Sequence, residues 1–113
     1  MDTYQSTIDA LPDIVAAVRD SHSQIDIYVD GGVRRGTDIL KAVALGAKTV
    51  LIGRPVLWGL AVDGAQAVEN VLKILKKEFR LAMMLCGCQT VDDIRKNDLI
   101  LILLNNNSNQ AKL

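Results

Sequence analysis

The chain has 113 residues, 50% apolar and 23% charged with few aromatics, which suits one small globular domain or a piece of a larger one. Thirteen basic residues balance thirteen acidic ones, so charge gives no reason to expect nucleic acid or an anionic membrane as partner. No apolar run nears the roughly 20 residues that span a bilayer, and Met1 to Ser6 has neither the basic nor the apolar region of a secretory signal.

Ile8, Leu11, Ile14, Val15 and Val18 recur at helical spacing from Thr7 to about Arg19. Pro12 falls inside that stretch and predicts a short first turn followed by a restart, since proline is tolerated in the first turn of a helix. His22, between Ser21 and Ser23, reads as a solvated loop residue and not as a ligand or base. Ile25 to Asp30 alternates and is rich in β-branched residues, which predicts a strand ended by Gly31 and Gly32. A helix follows, with Gly36 or Thr37 as N-cap, Ile39, Leu40, Val43 and Ala44 on its buried side and Gly46 at C′.

Thr49 to Ile52, bounded by Lys48 and Gly53, fits a strand buried on both faces, as parallel strands are. A short helix is expected after Pro55, and a long amphipathic one from Val62 to about Cys86. Ala65, Val68, Leu72, Leu75, Phe79 and Ala82 mark its apolar face, Glu69, Lys73, Lys76, Lys77 and Arg80 its polar side, and Gly87 its end. Thr90 is a suitable N-cap for a last helix, Val91 to Lys96. The apolar run Leu99 to Leu104 predicts an extra extended segment, and would be an aggregation hazard if exposed. Cys86 and Cys88, with one distant histidine, cannot supply the three or four ligands of a zinc site; they read as ordinary thiols in a reducing compartment.

Alternating strands and helices imply α/β architecture with right-handed βαβ units and a parallel sheet. Two strands cannot close a barrel, and a (β/α)8 barrel takes ~250 residues. The pattern is that of the C-terminal part of a TIM (β/α)8 barrel, about its last two βα units plus closing helices. Residues 1–104 form this portion and residues 105–113 a polar tail.

Each strand runs into a glycine-arginine cluster: Asp30-Gly31-Gly32-Val33-Arg34-Arg35-Gly36, then Gly53-Arg54-Pro55. Either cluster alone reads equally well as a tight turn with solvated arginines. Together, one βα unit apart, they project from the same face of a parallel sheet, where barrels of this type frequently bind phosphate. Glycines let backbone N–H groups approach phosphate oxygens closely. The helix starts behind both clusters would add N–H donors and dipole, and Arg34 and Arg54 charge-assisted bonds. Asp30 fits this picture as a residue that orients the loop or accepts from a ligand hydroxyl.

At these residues the sequence resembles the FMN-dependent α-hydroxy-acid oxidases, the family of glycolate oxidase. Thr7 to Val15 resembles the helix before that family's seventh strand, Val29 to Asp38 its FMN-phosphate signature, and Gly53 to Ala61 the segment after its eighth strand. Phe79 to Met83 and Gly87-Cys88 resemble its closing helix and the end of that helix. The resemblance implies that Asp30, Gly31, Gly32, Val33, Arg34, Gly53 and Arg54 contact FMN, with Asp30 placed to meet the ribityl chain. It also implies oxidation of (S)-2-hydroxy acids to 2-oxo acids with O2 reduced to H2O2, and a homo-oligomeric parent enzyme. IMP dehydrogenases share an Asp-Gly-Gly-x-Arg-x-Gly-x-Asp pattern, but the Gly-Arg-Pro to Trp-Gly-Leu-Ala segment and the later Gly-Cys favour the oxidases.

The family's His-Gly-x-Arg-Gln stretch, which carries its histidine base and substrate-binding arginine, would fall just before residue 2. Neither Tyr4, Tyr28 nor His22 replaces a family catalytic group, so no catalytic residue is assigned here. The chain is therefore expected to be a truncated oxidase, with a non-catalytic interaction piece or the end of another phosphate-binding barrel as alternatives. Ala111-Lys112-Leu113 resembles a peroxisomal Ser-Lys-Leu address, which implies a peroxisomal location and recognition by the import receptor, with residues 105–110 as a polar leader.

Overall fold

A computed structural model describes residues 4–98 and 100. The order is helix α1 (Thr7–Asp20), strand β1 (Tyr28–Val29), helix α2 (Gly36–Ala44), strand β2 (Thr49–Val50), helix α3 (Arg54–Leu85) and helix α4 (Val91–Lys96). The strands pair in parallel with Tyr28 opposite Thr49 and Val29 opposite Val50. The expected α/β order and parallel pairing are both present.

Helix α1 is capped by Ser6, whose Oγ accepts from the Asp9 N–H at 3.3 Å. It runs unbroken through Pro12, so no restart follows the first turn. Pro12 is exposed, and the Ile8 carbonyl one turn earlier loses its donor on a side that solvent can reach. Leu11 and Val15 are buried as expected, whereas Ile14 stays exposed.

The strands are shorter than the sequence pattern suggests. Lys48 N–H donates to the Ile27 carbonyl and Leu51 N–H to the Val29 carbonyl, each at 2.8 Å, and these two bonds bound the ladder. The turn at Gly46 and Ala47 brings Lys48 opposite Ile27, leaving Ile25 and Asp26 without backbone partners on β2. β2 is only half-buried, in contrast to the expected burial on both faces, because β1 is its one neighbouring strand among the described residues.

Helix α2 joins two cores. Leu40, Val43 and Ala44 pack with Ala82 and Met83 of α3, Cys88, Ile94 of α4 and Ile100. Ala42 packs with Leu11 and Val15 of α1, Val29 and Ala47. Ile94 and Leu11 are essentially fully buried, each worth about 1.5–3 kcal/mol relative to exposure. Of the apolar run that begins at Leu99, Ile100 is buried in the first core; the other members lie outside the described residues, as does the tail with Ala111–Leu113.

Helix α3 starts eight residues before the expected Val62, at Arg54, and breaks at Asp63 (φ −155°, ψ 40°) and Gly64 (φ 57°, ψ −143°). Val62 thus belongs to the first segment, which absorbs the short helix expected after Pro55. On the second segment Leu75 and Ala82 are buried and Phe79 half-buried, but Ala65 and Leu72 are exposed. Gly46 and Gly87 occupy the C′ positions of α2 and α3. Thr90 caps α4, whose bounds match the expected ones.

Candidate functional site

Because β1 and β2 are parallel neighbours, the loops that leave them emerge at the same end of the sheet. There Asp30, Gly31, Gly32, Val33 and Arg34 line one cleft of about 170 Å³ together with Gly53, Arg54, Pro55 and Trp58. All seven residues singled out from the sequence meet in it. Pro55 and Trp58 were not singled out, although Trp58 follows Arg54 by about one helical turn and so faces the same way.

Gly31 and Gly32 both have positive φ, 97° and 76°, a conformation that L side chains rarely adopt. At Gly32 a Cβ would meet nothing within 4 Å, so dihedral geometry and not crowding demands glycine there. Val33 is buried although it lines the cleft. Arg34 and Arg54 are exposed, and neither takes part in an ion pair among the described residues. With Asp30 also in the lining, the cleft carries two cations against one anion.

The two helix starts behind the cleft differ. At α2, the Arg34 and Arg35 N–H groups donate to Asp38 Oδ2 at 3.1 and 3.0 Å, and the Gly36 N–H donates to Glu78 Oε2 at 2.7 Å. This corrects the expectation that α2 offers those N–H groups to a ligand: two carboxylates already hold them. It also fixes the N-cap at Arg35, one residue before Gly36. The start of α3 has no side-chain cap and no acidic residue in its first turn. Pro55 has no N–H and the Val56 N–H donates to the Gly53 carbonyl at 3.0 Å, which leaves the Arg54 N–H and the helix dipole to an anion. Asp38, not Asp30, orients the loop; Asp30 makes no hydrogen bond to it among the described residues.

A wider, mostly apolar concavity of about 450 Å³ lies along the same glycines, between the starts of α1 and α2. Its lining holds Lys41 but no guanidinium, so the smaller cleft is the better anion site. The volume of that cleft is below the roughly 300–1,000 Å³ of pockets that enclose a drug-sized ligand. Its size and charge fit a phosphate group, not a whole flavin.

The remaining candidates stand apart. His22 is exposed at the N-terminal end of the sheet, with Nδ1 3.0 Å from the Asp20 carbonyl. Cys86 is half-buried at the end of α3, and Cys88 is buried in the core. Among the described residues no three metal-ligating side chains gather, and no helix is long and apolar enough to cross a membrane.

The FMN-dependent dehydrogenase family model matches residues 1–101. The 2-hydroxyacid oxidase 1 of Mus musculus is 56% identical over 96 residues, covering 85% of this chain and 25% of the relative. The L-lactate oxidase of Nostoc sp. is 53% identical over 94 residues, covering 83% and 25%. A peroxisomal (S)-2-hydroxyacid oxidase of Arabidopsis thaliana is 50% identical over 97 residues, covering 86% and 26%. Among solved structures, a mandelate oxidase with an FMN adduct superposes with a TM-score of 0.76 at 46% identity, over 84% of this chain and 29% of that one. These structural neighbours are TIM-barrel oxidases, and the chain spans about a quarter of the length of the curated relatives it matches. This chain belongs to the FMN-dependent hydroxy-acid oxidase family, whose cofactor is FMN.

Proposed function

We propose that this chain supplies the FMN-phosphate end of a (β/α)8 oxidase of (S)-2-hydroxy acids, formed by the barrel's last two βα units and closing helices. One observation carries the proposal: the two post-strand loops converge on a single small cleft with two guanidiniums that make no ion pair among the described residues. Arg34 and Arg54 would hold the phosphate, and the start of α3 would add the Arg54 N–H and the helix dipole. Gly31, Gly32 and Gly53 keep the floor clear of side chains, while Asp30 and Val33 also line the cleft, Asp30 as the residue that would accept from a ribityl hydroxyl.

Bound FMN would supply the two-electron acceptor for oxidation of a 2-hydroxy acid to a 2-oxo acid, with O2 reduced to H2O2. The role of these residues is to anchor and orient the cofactor; none of them is assigned a catalytic part. The small substrate and O2 are the expected partners, and homo-oligomeric assembly belongs to the same proposal. A peroxisomal location is supported by the named location of the Arabidopsis thaliana relatives and by the terminal Ala111-Lys112-Leu113, which would engage the import receptor.

The test is a titration of the isotopically labelled chain with FMN and, separately, with riboflavin, which lacks the phosphate. FMN should shift the backbone amides of Gly31, Gly32, Gly53 and Arg54, and riboflavin should leave them in place. Arg54→Ala should weaken the FMN response by on the order of 2 kcal/mol through lost charge-assisted bonds. Equal responses to both ligands would contradict a phosphate site.

A further inference from the structure

Glu78 makes a contact that phosphate binding by the two loops does not explain. It lies on α3, 42 residues from Gly36, yet its Oε2 accepts from the Gly36 N–H at 2.7 Å in a partly buried setting. That N–H belongs to the first residue of α2 and has no partner within the helix. At the same place the two backbones touch: a Cβ on Gly36 would lie 2.1 Å from the Phe79 nitrogen. The hydrogen bond therefore ties the exit of the Asp30–Arg34 loop to α3. Arg54 opens the first segment of α3, before the break at Asp63-Gly64. That segment packs on the second one closely enough that a Cβ on Gly59 would lie 3.2 Å from the Ala67 carbonyl oxygen, so the two packed segments reach both halves of the site.

From this geometry we infer that Glu78 is a positioning residue for the phosphate cleft. Its carboxylate does not touch the ligand; it fixes the start of α2, and through it Arg34, at the spacing from Arg54 that a phosphate requires. With Asp38 holding the Arg34 and Arg35 N–H groups, three consecutive donors are held before any ligand arrives. The cleft is thereby preorganised, and binding does not have to order the loop. The proposal rests on the phosphate function inferred above and adds to it a residue that lies outside the cleft.

The experiment compares the full chain with its E78A, E78D and E78Q variants, titrated with FMN, inorganic phosphate and riboflavin while backbone amides are followed. Gln keeps an acceptor at the same reach, so E78Q should respond as the unaltered chain does. Asp is one methylene too short, so E78D should bind FMN and phosphate about fivefold more weakly, with faster hydrogen exchange at Gly36. Riboflavin should leave the amides in place in every variant. If E78A does not fold, E78D decides the matter, because it keeps the charge and most of the side chain. A folded E78D or E78A with unaltered affinity for FMN would overturn the inference, as would E78Q binding as weakly as E78D. If the unaltered chain itself fails to distinguish FMN from riboflavin, the phosphate site falls and the role of Glu78 falls with it. If it does distinguish them and E78D does so equally, only Glu78 is lost.

Discussion

Gly36 and Arg34, two residues apart, do different jobs for the same loop. Gly36 allows contact between backbones, and with Phe79 nitrogen 2.1 Å from a would-be Cβ, no side-chain rearrangement can relieve the clash. Gly36→Ala should therefore separate α2 from α3 and cost about 1–3 kcal/mol in urea unfolding, as overpacking does. A loss within ordinary surface values, about 0.5 kcal/mol, would mean that the helices are not in contact there. Arg34 acts through charge. It lines the cleft while the adjacent Arg35 does not, although both are exposed. Arg34→Ala should weaken FMN binding by about 1.5–3 kcal/mol, the range for hydrogen bonds to charged groups, and Arg35→Ala by clearly less. Equal effects in a binding titration would show that general positive charge, and not the cleft, attracts the anion.

Elements built by local chemistry were legible in the sequence, and those settled by distant contacts were not. Helix α4 shows the first kind. Thr90 Oγ1 accepts from the Asp93 N–H at 3.2 Å, and Asp93 Oδ2 accepts from the Gln89 and Thr90 N–H groups at 3.0 and 2.7 Å. These bonds, chiefly those with Thr90, hold the Asp93 carboxyl below its ordinary value of 3.8. Folding therefore favours ionised Asp93: the cap's contribution is complete above the unfolded value and is lost as pH falls through the lower folded one. Amide exchange in α4 should accelerate as pH is lowered through that interval, after correction for intrinsic rates, and Asp93→Asn should remove the dependence. A flat profile in the unaltered chain would show that Asp93 ionisation does not stabilise α4. Pro12 and Asp63-Gly64 show the second kind. Whether a proline breaks a helix depends on whether solvent can reach the freed carbonyl, and whether Val62 starts a helix depends on where the chain turns. The cleft lay between: its lining residues follow two strands and were readable, but the bond from Gly36 to Glu78 joins positions 42 apart and leaves no local pattern.

At the scale of the whole molecule, the distribution of apolar surface argues that this chain is part of a larger fold. Leu57, Trp58, Leu60 and Val62 on the first segment of α3 are more than half exposed, as are Met84 and Leu85 near its end. Soluble monomers seldom leave so much apolar surface uncovered, and a two-stranded sheet is at best marginally stable without further strands. The relatives, more than three times as long, are TIM barrels in which a parallel sheet closes on itself and has no edges. The cleft gives the same answer from the ligand's side. At about 170 Å³ it takes a phosphate but offers nothing of the size needed to enclose an isoalloxazine ring. The isolated 113-residue chain should therefore bind FMN weakly and through the phosphate alone, and should not oxidise a 2-hydroxy acid such as glycolate. Gel filtration with FMN followed by an absorbance spectrum checks the first point, and peroxide release the second. Recovery of a folded chain carrying stoichiometric yellow flavin would show that these residues build a complete flavin site. Loss of the flavin on the column, with phosphate-dependent amide shifts retained in solution, would place tight binding in the contacts that a whole barrel makes with the ring.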